Sequence, residues 1–181
     1  MKSMLATLLA ALSLVAALAS AQQPRATAPD AEHQLLHSVA GQWNVTQSLW
    51  LTPGKPPKVD QGKASLDMVL NGRHLRQNLQ IADGTGFEGL GYFGYDSTTR
   101  QFFSTWMDVN FPGLVVAYGS FDPTAKAVTL RGRMPAAQGG DAVLVREVLT
   151  LTDPDHLRYE FFETHKGIEA LAVRLDYTRV R

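Results

Sequence analysis

The stretch SVAGQWNV, residues 38–45, places a glycine two residues before a tryptophan, at the start of an alternating apolar run. Trp43 shares its phase with Val45 and Leu49, so these three side chains point to one face of a strand. Gly41 lacks a Cβ and suits the crowded point at which a chain leaves a helix and enters a strand. We therefore expect the first strand to begin at this glycine, with the indole as a plug beside the helix.

The residues before the glycine, DAEHQLLHSVAG (30–41), predict a short helix. Asp30 is a candidate N-cap, and an apolar stripe follows it at Leu35, Leu36 and Val39. Gly41 is a suitable residue for the C-terminal end of that helix.

The residues after the glycine consist of strand-like runs separated by turn residues, at a spacing of roughly ten residues. Asn71-Gly72 is the clearest turn, because both residues tolerate the positive φ of a type I′ hairpin. A meander of about ten strands with no second helical layer must bury its apolar face on itself, and closure removes its exposed edges. The sequence therefore predicts an all-β, antiparallel up-and-down barrel with a short N-terminal helix.

The two ends of the chain add to this picture. Arg179 shares the inward phase of Leu175 and Tyr177, so its guanidinium is expected to stack on Trp43 at the end that the helix seals. Residues 1–21 carry a lysine, an apolar run of about 15 residues and a small-x-small site, which is typical of a signal peptide.

We predict the processing, domain limits and location of the protein from this N-terminal segment. Cleavage occurs after Ala21, residues 22–31 form a flexible arm, and residues 32–181 form the barrel domain. The protein is secreted or periplasmic, and the apolar run is too short for stable membrane insertion.

The composition limits the classes of partner that the protein is expected to bind. The chain has 17 Lys and Arg, 17 Asp and Glu, and no cysteine, so it forms no disulfide. No basic cluster is interleaved with aromatic residues, and we expect no nucleic-acid partner. The glycine-spaced GLGYFG (89–94) has no helix after it, so it is not a phosphate site, and we expect its glycines to let strands bend. The sequence carries no signal for an oligomeric state.

The Gly41-x-Trp43 pair with Arg179 is similar to the calycin superfamily of lipocalin-like barrels, in which an arginine from the barrel end packs on such a tryptophan. The chain resembles more closely domain-of-unknown-function family 1579, from HQLLHSVAGQWNV through NGRHL, GLGYFGYDSTTRQFFSTWMD and GSFDPTAKAVTLRG to LDYTRVR. The most specific part is Gly-Tyr-Asp (94–96) followed by Phe103, Trp106 and Asp108. The resemblance implies a calycin-like barrel in a secreted or periplasmic protein, and it implies no assigned activity.

Trp106 and Asp108 share one strand phase in FFSTWMD. If that phase faces the lumen, Trp106 is a cavity wall and Asp108 is an acid or hydrogen-bonding anchor beside aromatic residues. The alternative is that Asp108 caps the turn before NFPG.

Glu147 and Glu163 each interrupt an apolar phase. An inward carboxylate must be paired, hydrogen-bonded or protonated, and arginines of nearby strands (Arg146, Arg174 and Arg179) offer an internal ion pair. The alternative for each glutamate is a bulge that turns it to solvent.

Histidines give two weaker patterns. His33 and His37 have the i, i+4 spacing of two metal ligands, and Asp30 could approach as a third, but no further ligand is predictable and an exposed helix face is the simpler explanation. Some calycin-like barrels bind haem through one histidine near the C-terminal end, and His165 occupies such a position, at a turn where a surface histidine is the default. We expect neither a metal nor a cofactor.

The function favoured by these patterns is non-catalytic binding of a small, partly apolar molecule in the lumen. The alternatives are a barrel-type enzyme with Asp108 or Glu163 as general acid or base, and a structural envelope protein with a filled barrel. The expected ligand-binding residues are Trp43, Tyr95, Trp106, Asp108, Glu147, Glu163, Tyr177 and Arg179.

Overall fold

The computed structural model describes residues 30–136 and 140–181. The expected signal peptide over residues 1–21 lies outside the described residues, as does the arm up to residue 29. The last two residues of the expected arm belong instead to the first helix and its cap.

The described residues form one helix and ten strands. In chain order these elements are α1 (Ala31–Ser38), β1 (Gly41–Leu49), β2 (Lys58–Val69), β3 (His74–Ile81), β4 (Phe87–Asp96), β5 (Gln101–Asp108), β6 (Phe111–Asp122), β7 (Ala127–Met134), β8 (Val143–Asp153), β9 (His156–His165) and β10 (Ile168–Arg179). Within the part of the chain that the structure describes, no helix combines the length and the apolar character needed to cross a membrane.

The strands form a closed antiparallel barrel. Each strand pairs with its neighbours in the chain, and β1 pairs with β10, so that Trp43 lies opposite Arg179. Alternation along each strand sends apolar side chains such as Leu75, Leu79 and Leu130 into the interior, where they are buried. The predicted all-β, up-and-down barrel with a short N-terminal helix is confirmed.

Helix α1 begins with a reciprocal cap. The Asp30 side chain accepts a hydrogen bond from the His33 backbone N–H, and the His33 side chain bonds the Asp30 backbone N–H in return. Leu36 and Val39 are buried against the barrel, so the apolar stripe of the helix covers one end of it. The predicted helix and its Asp30 cap are therefore present.

Trp43 is the plug at the end that the helix covers. Its side chain is 1% exposed, and its Nε1 donates a hydrogen bond of 3.1 Å to the Val39 carbonyl at the end of α1. Tyr177 packs edge-on against the indole with ring centroids 6.3 Å apart. Arg179 lies over the same ring, with its Cζ 4.2 Å from the ring centroid, as the sequence predicted.

Gly41 makes room for this arrangement. Its φ is +144°, in a region that residues with a Cβ avoid. A Cβ at this position would lie 2.6 Å from Nη1 of Arg179, which donates a hydrogen bond of 2.7 Å to the Ala40 carbonyl. The backbone conformation and the arginine therefore both require glycine.

The β2–β3 turn is longer than expected. The strands pair up to Val69 and His74, so residues 70–73 form a connection of four residues. Asn71 and Gly72 have the expected positive φ of 58° and 76°, but the residue before them has one too, at 52°. The two-residue turn inferred from Asn71-Gly72 is therefore wrong in length.

Candidate functional site

The barrel interior contains a cavity of about 340 Å³. Asp83 of the β3–β4 loop and Asn110 and Phe111 at the β5–β6 turn border it. Tyr95, which packs against His33 of α1, lies at the opposite end of β4 from that loop. The cavity therefore lies toward the end of the barrel away from the helix.

The cavity walls are mostly apolar, as alternation inside a barrel requires. They include side chains from five strands, namely Leu49, Leu79, Phe87, Phe93, Phe161, Val173 and Leu175. Such walls bind the hydrocarbon part of a ligand through burial of apolar area.

Trp106 is a wall of the cavity, and two glycines of β4 provide its space. A Cβ on Gly89 would clash with Cζ2 and Cη2 of the indole, and one on Gly91 would lie 2.9 Å from Cε3. Gly91 is also the cross-strand partner of Trp106. We expected these glycines to let strands bend, whereas their observed role is to leave room for an aromatic side chain.

Asp108 holds both Trp106 and the turn at the end of β5. The indole Nε1 donates a hydrogen bond of 2.8 Å to Oδ2, and the Asn110 backbone N–H donates one of 2.8 Å to Oδ1. The carboxylate also lines the cavity. The lumen position and the turn cap, which the sequence left as alternatives, therefore occur together.

Glu147 lies inside the barrel and lines the cavity, with 2% of its surface exposed. The Ser104 hydroxyl donates a hydrogen bond of 2.7 Å to its Oε2. Burial raises the pKa of Glu147 to about 7, and hydrogen bonding with Ser104 and Tyr159 opposes that rise. The glutamate can therefore gain or lose a proton near neutral pH.

Glu147 is neither turned to solvent by a bulge nor paired with an internal arginine. The residue pairs regularly with Leu130 of β7 and Phe161 of β9, so no bulge turns it to solvent. The arginine beside it, Arg146, makes a bidentate pair with Glu169 instead, with Nη2 and Oε1 2.7 Å apart. The internal ion pair that the sequence suggested is absent from the described residues.

Glu163 lies one alternation nearer the mouth than Glu147. It pairs with Val145 across β8 and β9, which places its carboxyl on the interior face. Oε2 is 2.6 Å from Nε2 of His165, whose side chain is 60% exposed at the end of β9. Glu163 therefore lines the cavity and is also partly exposed to solvent, with 27% of its side chain accessible.

Two buried glutamines were missed by sequence reasoning. Gln77 lines the cavity and donates a hydrogen bond of 3.1 Å from Nε2 to the Tyr177 hydroxyl, and Gln47 lines the cavity from β1. Gln77 interrupts the apolar phase of Leu75 and Leu79, which is the same signal that singled out Glu147.

The eight predicted ligand-binding residues fall into two groups. The cavity is lined by Trp106, Asp108, Glu147 and Glu163. The end covered by the helix holds Trp43, Tyr95, Tyr177 and Arg179. Residues of the second group point inward or across the barrel end, as expected, but they pack against one another and α1 and do not line the cavity.

The histidine patterns do not form a ligand set. Within residues 30–136 and 140–181, no three His, Asp or Glu side chains are grouped to hold a metal ion. His33 is buried and bonded to Asp30 in the helix cap, and His165 is not among the residues that line the cavity.

The cavity has an acidic character. The charged side chains that line it, among the described residues, are all carboxylates, namely Asp83, Asp108, Glu147 and Glu163. Lysine and arginine are absent from that lining, although Lys58 reaches the mouth, where its Nζ donates a hydrogen bond of 3.4 Å to the Asp83 carbonyl and lies 3.1 Å from Oδ2 of Asp60.

A family model described as a protein of unknown function, DUF1579, matches residues 28–179. The chain belongs to the DUF1579 family. The match extends over α1 and all ten strands, and the closed barrel agrees with the calycin-like fold that the sequence resemblance implied. No protein with a curated description matches this DUF1579 chain.

The DUF1579 barrel is similar to a solved structure, the crystal structure of Rv2717c from M. tuberculosis. The TM-score is 0.61 at 15% sequence identity, over 84% of this chain and 99% of that chain. At this level of identity the similarity concerns the fold alone.

Proposed function

We propose that this DUF1579 protein is exported and binds a small, partly apolar molecule in its lumen without converting it chemically. The observation that carries the proposal is the cavity of about 340 Å³, which lies within the range of roughly 300–1,000 Å³ typical of ligand sites. A barrel filled by its own side chains would leave no such volume.

The chemistry of the lining favours an amphipathic molecule over a plain hydrocarbon. Phe87, Phe161 and Trp106 offer apolar area, while Ser104, Gln77 and other polar groups lie among them. Ser104 and Gln77 already bond Glu147 and Tyr177, but a purely apolar ligand would displace water from these polar groups and offer nothing to their remaining hydrogen-bonding capacity, which costs free energy. A ligand with one polar end satisfies both parts of the lining.

The first experiment is native mass spectrometry of protein purified gently from the periplasm of its source, compared with the same sample after denaturation. We expect an excess mass that is lost on denaturation. The second is calorimetric titration of the protein with 1-octanol. Trp106→Ala is expected to weaken octanol binding about tenfold, because the ligand loses an aromatic wall.

Trp50→Ala is the matched control, since Trp50 is half-buried and does not line the cavity. It should leave octanol affinity within about twofold of the unaltered protein. Absence of excess mass together with absence of octanol binding would overturn the proposal, as would equal effects of the two tryptophan substitutions.

Export is tested separately by fractionation and by the mass of the recovered protein. The small-x-small pattern at residues 19–21 supports an N-terminus at Gln22. Recovery of that form from the periplasm supports export, and an uncleaved cytoplasmic form contradicts it.

Acid–base catalysis is the second candidate, and Glu147 is the observation that favours it. Its pKa of about 7 suits proton transfer at neutral pH, and its carboxyl lines the cavity. Incubation of the co-purified molecule with protein, followed by mass spectrometry, tests this candidate. Conversion by the unaltered protein that is lost in Glu147→Gln would establish catalysis, and recovery of unchanged ligand supports simple binding.

A further inference from the structure

The strongest unexplained feature of the interior is that Glu147 has no protein cation as a partner. Ser104 and Tyr159 are its hydrogen-bonding neighbours, and both are neutral groups. Arg174, a second arginine that the sequence offered as a partner, forms an ion pair with Asp176 on the outer face, with Nε and Oδ2 3.2 Å apart. Within the described residues, ionised Glu147 is thus a buried charge without a counter-ion.

The remaining carboxylates of the cavity lie nearer the mouth, where Asp83 accepts a hydrogen bond from the Thr85 backbone and Lys58 bonds its backbone carbonyl. Asp108 accepts from the Trp106 indole and the Asn110 backbone, so its charge is hydrogen-bonded but not neutralised. Glu163 contacts His165 at the exposed end of β9. Among the described residues, the carboxylates of the cavity therefore lie at successive depths from its mouth inward, beside the indole of Trp106 and the phenylalanine side chains of the wall.

We propose that the lumen selects a cationic amphiphile, a protonated amine attached to an apolar body, with its ammonium group paired to Glu147. This inference rests on the proposed function, because it names the class of ligand for the same cavity. The ammonium supplies the counter-ion that the interior lacks, and the apolar body packs between Trp106 and the aliphatic and phenylalanine walls. Aromatic faces add a further attraction for cations.

The energetics favour a cation over the alternatives. An anion entering the cavity finds only acidic side chains among the charged groups of the described lining, and a neutral alcohol leaves the Glu147 carboxylate without a counter-ion. Burial raises the pKa of Glu147 to about 7, so below that pH the group is protonated and a cation must displace the proton. Binding is therefore coupled to proton release on the acid side of neutrality.

The groups around Glu147 support assigning to Glu147 the proton that is released when the cation binds. Tyr159 on β9 has a pKa far above its usual value because of burial, so it stays protonated. The other acids of the described lining, Glu163 on β9, Asp108 on β5 and Asp83 of the β3–β4 loop, lie nearer the mouth than Glu147, and Ser104 on β5 does not titrate.

The experiment uses three probes that share one eight-carbon chain, namely octylammonium, 1-octanol and octanoate. Isothermal calorimetry at pH 8 should rank the affinities in that order, with octylammonium at least about tenfold tighter than octanol. Equal affinities for octylammonium and octanoate would overturn the charge selectivity. Failure of octylammonium and octanol alike would instead overturn the proposed function.

Substitution of single carboxylates identifies the residue that pairs with the ammonium group. Glu147→Gln keeps the shape of the side chain and should weaken octylammonium binding about tenfold while leaving octanol within about twofold. The matched control Glu88→Gln removes a carboxylate from the exposed outer face of β4 and should leave both affinities unchanged within about twofold. Equal losses in the two variants, or no loss in Glu147→Gln, contradict the pairing.

Proton linkage in the unaltered protein is a readout that needs no variant. Octylammonium affinity should rise up to about tenfold per pH unit below pH 7 and become flat above it. Titrations in buffers of different ionisation enthalpy should show close to one proton released near pH 6. An affinity that is independent of pH between 5 and 8 excludes Glu147 as the partner.

Discussion

The guanidinium of Arg179 lies 4.2 Å from the ring centroid of Trp43, and the two residues face each other across β10 and β1. The same guanidinium donates hydrogen bonds to the Ala40 and Ser38 carbonyls, at 2.7 and 3.0 Å. One side chain therefore ties the last strand to the first and to the end of the helix.

Replacing Arg179 by lysine should lower the free energy of unfolding by about 1–3 kcal/mol, because an ammonium cannot bond both carbonyls while stacking on the indole. Urea unfolding followed by circular dichroism measures the change. Arg181→Lys is the control, since this side chain is 87% exposed and bonds Asp155 alone among its described contacts. A loss below about 0.5 kcal/mol in Arg179→Lys would show that the stack is unimportant.

Gly41→Ala should destabilise the fold by about 1–3 kcal/mol, because the new Cβ meets both an unfavourable φ and Nη1 of Arg179. Gly54→Ala is the control for a positive φ without a contact. Gly54 has a φ of +75°, and no atom lies within 4 Å of the position that an alanine methyl would take, so its loss is a lower bound on the backbone cost at Gly41, whose φ of +144° is less accessible to alanine. Equal losses in the two variants would indicate that contact with Arg179 contributes nothing.

Glu147 should make the protein less stable as the pH rises. The pKa of this group is about 7 in the folded state, against an ordinary value of 4.5. Below pH 4.5 it is protonated in both states and has no effect, whereas between 4.5 and 7 the unfolded chain ionises first. The free energy of unfolding therefore falls across this range, by about 3 kcal/mol from this group.

Urea unfolding of Glu147→Gln at pH 5 and pH 8 tests this linkage, and we expect most of that loss to disappear. Glu169→Gln is a control of opposite sign. The hydrogen bond from Arg146 lowers the pKa of Glu169, so its contribution is complete by pH 5 and is lost only at lower pH. The Glu169 variant should keep the slope of the unaltered protein between pH 5 and 8. An unchanged slope in Glu147→Gln would refute the buried acid.

Gly89→Ala should displace the Trp106 indole, at a cost of about 1–3 kcal/mol in stability. A double-mutant cycle with Trp106→Ala identifies the cause, because the alanine at position 89 should cost much less once the indole is absent. Additive losses would mean that the glycine serves the backbone of β4 and not the tryptophan.

The fold was predictable from the sequence because its signals are local. Alternation marks the interior face of each strand, and the roles of Gly41, Trp43 and Arg179 follow from chain direction and phase. The length of the β2–β3 turn was not predicted, because Leu70 also adopts a positive φ of 52°. Leucine is not a residue type that indicates such a conformation.

The candidate site was predictable only in part. The alternation along each strand predicts that Tyr177 and Glu147 both face inward. It does not predict how far along the barrel axis each side chain lies, and so it does not show which of them borders the cavity. That height depends on how side chains from non-neighbouring strands pack together. Polar breaks in an apolar phase were the better guide, since they mark Glu147 and Gln77, whereas aromatic residues serve equally as plugs and as walls.

The pairing of β1 with β10 joins the two strands that are farthest apart in the chain. Every other strand pair can form as a local hairpin, but this seam requires β10 to be present. A nascent chain therefore remains an open sheet with two unsatisfied edges until β10 has emerged. During that interval the protein is at its most vulnerable to intermolecular strand pairing, and a chaperone that protects it must act before the seam closes.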